Sequence, residues 1–190
     1  MSAPPHEPIV DLTFTHHWRA EILPARPLIL PPRHFVYPRD AEEVERGALE
    51  VLVRGSEGEQ PFLATCALGF RDPAVPTGLW SCPDPDEICA VSGGYAYIVS
   101  AREPERFTMI AYRPVLRVMA AAADGLLLFV GHHAVLAWGR DGLAWESEKL
   151  SDEGVTVMGV EGGLLHGRGW SMRTDKETPF TLDLKTGLRV

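Results

Sequence analysis

The sequence predicts an all-β chain of repeated antiparallel meanders. Two observations lead there. Glycine and proline are abundant, 18 and 16 in 190 residues, and they fall between short apolar runs. Frequent breakers between short apolar runs give many turns and little room for helices. The second observation is the stretch Asp124 to Trp145. It reads as three short strands, LLLFV, AVLAW and GLAW, separated by tight turns, and weaker copies lie on both sides of it. A chain of this length suits one domain spanning residues 1–190. A β-sandwich or barrel with one short helix is the competing architecture, because alternate residues are buried in both.

Taken in order, residues 1–8 are Pro-rich and polar and read as a loose arm. Residues 9–38 read as a strand followed by a connector. Ile9 to Trp18 alternates in part, with Val10, Leu12 and Phe14 on one face. Five prolines then surround Leu28-Ile29-Leu30. Proline cannot donate to a ladder, so this segment is an extended connector or a sheet edge. Residues 40–46 carry the only helix signal: Asp40 as cap, Glu43 three residues later and Gly47 as terminator. Residues 48–190 hold the repeats. Ala48–Val53 and Pro61–Phe70 flank a Gly-Ser-Glu-Gly-Glu loop and read as a hairpin. Gly78-Leu79-Trp80 starts a further strand.

Apolar lead-ins at 88–91, 116–119 and 155–158 precede turns whose last glycines are Gly94, Gly125 and Gly163. A second mark, Gly followed closely by Trp, recurs at Gly78-Leu79-Trp80 and Gly142-Leu143-Ala144-Trp145. Periods of about 30–40 residues with about four short strands are typical of propeller blades. Four units starting near residues 48, 88, 116 and 155 give a small propeller-like ring of about four blades or an open stack of meanders. The strand at Ile9–Trp18 is placed to close a ring by pairing with the last unit.

Leu136 to Trp145 and Leu182-Asp183-Leu184-Lys185-Thr186-Gly187 resemble the outer hairpin of quinoprotein-type (PQQ-like) propeller repeats. In that family an Ala-Leu-Asp stretch, a Thr-Gly turn and a following Trp recur. The resemblance covers about residues 88–190 and implies that the Trp packs between blades. No quinone-binding or metal residue of the family has a counterpart here, so no cofactor is expected.

A formal charge of −8 opposes nucleic-acid or anionic-membrane binding. No segment approaches the roughly 20 apolar residues of a membrane span. The N-terminus lacks a basic stretch followed by an apolar one, so the expected compartment is a bacterial-type cytoplasm. Three cysteines, an odd count without Cys-x-x-Cys, fit a reducing compartment and small buried hydrophobes.

Candidate chemistry is sparse. His16-His17 and His132-His133 are doublets, and neighbours on a regular strand point to opposite faces, which opposes a shared metal. A turn after Gly131 would relax that for the second pair. Asp84 and Asp86 lie two apart in an extended Pro-Asp-Pro-Asp run, about 6.5 Å along a strand, but the same run builds a rigid turn. Ser92 lacks the glycine two positions before it that a nucleophile elbow has. Gly167-Arg168-Gly169 lacks the third glycine of a dinucleotide fingerprint, and both glycine groups read as turns of positive φ. Of the five tryptophans, Trp80 and Trp145 read as core, whereas Trp138 and Trp170 flank polar turns. The binding candidates are therefore His132, His133, Trp138 and Trp170, with no catalytic residue and no metal ligand. The expected function is a non-enzymatic repeat module that binds or scaffolds a protein partner. The alternatives are a small-molecule or carbohydrate binder, or a hydrolase with an unrecognised site.

Overall fold

The computed structural model describes residues 7–39, 46–56 and 59–190; the helix expected at 40–46 lies outside them but for Arg46. Regular structure among the described residues is strand, apart from short 3-10 turns such as Ala122–Asp124. The all-β expectation holds. The chain divides into two units, Met1–Pro114 and Val115–Val190, each with its own core.

Seven strands of the first unit begin at the N-terminus: β1 (Ile9–Asp11), β2 (Arg19–Leu23), β3 (His34–Tyr37), β4 (Ala48–Arg54), β5 (Phe62–Ala67), β6 (Gly78–Ser81) and β7 (Glu87–Ser92). β8 (Tyr95–Ser100) and β9 (Phe107–Met109) complete it. They form two sheets. Sheet A has the order β2-β4-β5-β3 and sheet B the order β1-β6-β7-β8-β9. The expected hairpin is β4–β5, with Leu49 opposite Cys66 and Val51 opposite Ala64. Alternate residues of sheet A, including Leu49, Val51, Val53, Phe62, Ala64 and Cys66, share one core with Leu79, Ile88, Ala90, Tyr97 and Val99 of sheet B. This is sheet-on-sheet packing, with period-2 burial on both partners.

Ile9–Trp18 is not one strand. The Asp11 carboxylate accepts hydrogen bonds from the Thr13 N–H and hydroxyl. Such a turn ends the extended run, and only Ile9–Asp11 remains as β1. It pairs in parallel with β6, Val10 opposite Leu79. Its partner is therefore within the first unit and is not the last meander. The connector at 23–38 contributes β3, an edge strand parallel to β5, as its proline content requires.

The second unit is two meanders. Sheet C runs β10 (Arg117–Ala121), β11 (Leu126–Val130), β12 (Val135–Gly139) and β13 (Gly142–Glu146). Sheet D runs β14 (Val155–Glu161), β15 (Leu164–Ser171) and β16 (Lys176–Asp183). Gly125, Gly142, Gly162 and Gly163 take positive φ in the turns between them, as the repeat predicts. Beyond β16 the chain folds back: Asp183 N–H donates to Leu188 and Val190 N–H donates to Thr181. Odd-numbered residues at this end of β16 thus turn their backbone groups away from β15. Pro179 continues that set, so its missing N–H costs the β15–β16 ladder nothing.

Sheets C and D face each other. Leu128, Val130, Val135 and Ala137 pack with Val155, Val157, Leu165, Phe180 and Leu182. Trp145, on the edge strand β13, is 9% exposed. Its indole N–H donates to the Leu184 carbonyl at 2.7 Å, and its ring covers Gly187, where a Cβ would lie 2.6 Å from ring carbons. Gly187 also has a φ of +71°, so two independent demands select glycine there. Trp80 is buried too, at 2%, but on β6, an interior strand between β1 and β7. The two Gly–Trp marks both serve the core without being topologically equivalent.

Gly167 and Gly169 correct another expectation. They lie inside β15, not in a turn, and neither has positive φ. A Cβ on Gly167 would meet the Phe180 ring at 2.3 Å, and one on Gly169 would meet the Leu150 carbonyl at 2.0 Å. Close approach is their reason.

Trp145→Ala removes the ring between the sheets and leaves the Leu184 carbonyl without its donor. The cost should be about 3–5 kcal/mol, a large share of a typical domain's stability. Chemical denaturation of parent and variant checks this; equal midpoints would place Trp145 outside the core.

Candidate functional site

The four sequence candidates are not gathered into one site. His132 and His133 occupy the turn between β11 and β12, with ring centroids 6.2 Å apart. His133 Nδ1–H donates to the Ser151 carbonyl at 3.1 Å, and its own carbonyl accepts from Leu150 N–H at 2.7 Å. Trp138 is 7% exposed on β12, within 3.9 Å of where a Cβ on Gly142 would sit, so it belongs with the packed tryptophans. Trp170 is half-buried at the end of β15. The loop Lys149–Glu153 brings His133 and Trp170 onto common partners, since Ser151 Oγ accepts from Trp170 N–H at 2.9 Å and Asp152 N–H donates to the Trp170 carbonyl at 2.8 Å.

The other doublet is not on a strand either. His16 Nδ1–H donates to the Phe14 carbonyl and its ring lies 4.5 Å from that of Trp18. His17 pairs with Asp86 at 2.9 Å, and Arg102 takes the other oxygen at 3.0 Å. Asp84 accepts from Asp86 N–H, so the Pro-Asp-Pro-Asp run is a turn with a charged clamp. Among the described residues no three His, Cys, Asp or Glu side chains are placed to hold a metal ion.

The three thiols and Ser92 are out of reach as nucleophiles. Cys66, Cys82 and Cys89 are each 0% exposed, and burial pushes all three thiols well up, against the thiolate that reaction requires. Ser92 is 0% exposed, with no partner for its hydroxyl among the described residues.

A polar network that sequence reasoning did not single out lies on the outer face of sheet A. Glu50, only 5% exposed, faces Thr65 across β4–β5. Its Oε2 accepts from the Thr65 hydroxyl at 2.6 Å, and its Oε1 accepts from Arg26 Nε at 2.8 Å. Thr65 Oγ1 lies 2.8 Å from His34 Nε2. The single hydroxyl proton already goes to Glu50, so His34 must donate, which fixes its Nε2–H tautomer. Thr65 is 0% exposed, so this His–Thr pair cannot present a nucleophile to substrate. Its effect is mechanical: it ties Arg26, at the start of the proline-rich connector, to the sheet. The signal was present in the sequence as polar Glu50 and Thr65 inside ALEVLV and FLATCA.

The other end of the connector is tied as well. Arg33 donates to the Gln60 carbonyl at 2.8 Å and lies over the Phe35 and Phe62 rings at 5.8 and 5.7 Å. Between these two anchors Leu28, Ile29 and Leu30 are 104%, 89% and 45% exposed. Three large aliphatic side chains are thus held in solvent on a segment bounded by Pro27, Pro31 and Pro32.

No protein-family model matches the chain, and no curated protein matches it.

Burial and the nearby Arg26 charge both lower the His34 pKa, while Glu50 opposes them in part. The folded value thus lies below the unfolded one, near 6.5, so the unfolded chain binds more protons in acid. The contribution of His34 to stability is full above about pH 6.5 and falls as acid takes the pH down towards the folded value. Between about pH 7.5 and about pH 5.5 the parent should lose more Tm than His34→Gln does. Parallel slopes would contradict the assignment.

Proposed function

We propose that this chain is a β-repeat module of propeller type whose work is to hold a protein partner. The observation that carries the reading is the proline-bounded Leu28-Ile29-Leu30 segment, exposed to solvent and pinned at Arg26 and Arg33. Burying an exposed aliphatic side chain is worth about 1.5–3 kcal/mol, and a proline-bounded segment loses little conformational entropy on binding. Large apolar side chains fixed outward in this way suit a protein surface better than a small ligand.

The propeller part of the reading rests on the second unit. Two consecutive meanders pack face to face, and Trp145 of one covers the Leu184–Gly187 turn of the other. That is the placement expected from a quinoprotein-type repeat, in which the Trp packs between blades. The non-enzymatic part is supported by the burial of Thr65, Ser92 and the three cysteines.

The double variant Leu28→Asp/Ile29→Asp tests the reading. Its Tm should stay close to the parent's, because both side chains already lie in water. Proteins retained by the immobilised parent should be lost from the variant. Retention of the same set by both would overturn the reading.

A further inference from the structure

We infer that the open edge of β3 in the first unit is a docking site for an extended acidic peptide, which adds to sheet A as a further strand. The inference does not depend on Leu28 to Leu30.

Backbone chemistry defines the site. β3 ends the order of sheet A, with β5 on one side and no described strand on the other. The Arg33 carbonyl accepts from the Leu63 N–H at 3.0 Å. Alternation along a parallel ladder then turns the backbone of residues 33, 35 and 37 towards β5 and that of residues 34 and 36 away from it. The N–H groups of His34 and Val36 have no hydrogen-bond partner among the described residues. These two donors, with the carbonyls of the same residues, match one side of an added strand. Positions 32 and 38 fall in the same outward set but are proline, which has no N–H to give. They confine pairing to a short stretch, so the edge does not template a long one.

A cavity of about 250 Å³ lies along this edge, lined by His34 to Tyr37 and by Arg39, Pro104 and Glu105. The Tyr37 hydroxyl donates to the Pro104 carbonyl at 2.6 Å, and Arg39 donates to the Glu105 carbonyl at 2.7 Å. The loop before β9 is thereby tied to β3, and the cavity between them has room for a side chain of the added strand.

Charge selects the occupant. Arg33 precedes β3 and Arg39 follows it. Each is held by a backbone carbonyl and an aromatic ring, Arg33 by Gln60 and Phe62, Arg39 by Glu105 and Phe107. Neither pairs with a carboxylate among the described residues. A guanidinium has five N–H donors, so one carbonyl contact leaves donors for a carboxylate. Glu105 is the one carboxylate lining the cavity, and Glu50 on β4 is already matched by Arg26. The same charges oppose a second copy. Two β3 edges paired antiparallel bring Arg33 of each towards Arg39 of the other, and like charges across strands are unfavourable. A short apolar run with acidic residues on both sides meets both guanidiniums instead.

The probe is the capped peptide Glu-Glu-Val-Thr-Val-Glu-Glu. Its controls are the same peptide with Lys for Glu, and the acidic peptide N-methylated at its three central residues. Each is titrated into the intact chain labelled with 15N, and backbone amide shifts and hydrogen exchange are followed. The acidic peptide should shift the His34 and Val36 signals saturably, with a Kd of about 1 mM or tighter. At saturation both amides should exchange at least about tenfold more slowly, while those of β2, the other edge of sheet A, keep their rates. The basic and the N-methylated peptides should each bind at least about tenfold more weakly, as should the acidic peptide to Arg33→Gln/Arg39→Gln. The peptide comparison uses the parent chain, so it decides even if that variant does not fold. Unmoved His34 and Val36 signals, or equal affinity for either control peptide or for the folded variant, would overturn the inference. So would a change in those two signals on dilution of the chain alone, which would assign the edge to a second copy.

Discussion

Every sheet in this chain is short, with strands of three to eight residues, and none of them is wide enough to be stable with both faces in water. Each must therefore bury a face against another sheet, and the sequence is arranged around that demand. In the second unit the demand is met by a ring and a gap. Trp145 supplies area that small β13 residues cannot, and Gly187 supplies the space into which the ring settles. The indole N–H closes the contact on a turn carbonyl that would otherwise lack its donor. Gly167 and Gly169 work the same way, making room for the Phe180 ring and for a crossing loop. Packing between sheets, more than any single strand's propensity, decides where glycine stands.

The same constraint explains how polar groups are treated. Glu50 and Thr65 sit on the face of sheet A turned away from the shared core, where Arg26 and His34 satisfy them. A carboxylate so well buried is tolerated only with such partners. The partnership has a structural product, since it fastens the connector whose apolar residues are then displayed. Sheet edges are blunted where exposure would invite pairing, and Pro179 shows how, with its imino nitrogen in the set that faces away from β15.

Much of this was legible in the sequence. Apolar runs separated by Gly turns located β7, β8 and β10 to β15, because turn glycines and period-2 burial are local signals. The burial of Trp145 was legible in its place after Gly142, on a strand too short to bury enough area with small residues. Other features were not legible. The pairing of β1 with β6 joins residues far apart in sequence, and nothing in an alternating pattern names a strand's partner. Gly167 and Gly169 look like turn glycines in sequence, because close approach and positive φ leave the same residue. Leu28-Ile29-Leu30 reads as an extended connector or sheet edge, and nothing in that pattern says that the three side chains face out. His133 and Trp170 were singled out separately, and the Ser151–Asp152 loop that links them carries no motif.

The central structural claim is that Trp145 and Gly187 act as one contact joining sheets C and D. A double-mutant cycle measures it directly, using Trp145→Ala, Gly187→Ala and the pair, each unfolded in denaturant. In the parent, a Cβ at 187 meets both an unfavourable φ and the indole ring; without the ring only the backbone strain remains. The account predicts that Gly187→Ala costs less in the Trp145→Ala background, with a coupling of about 0.5–3 kcal/mol. Additive costs, within about 0.5 kcal/mol, would contradict it.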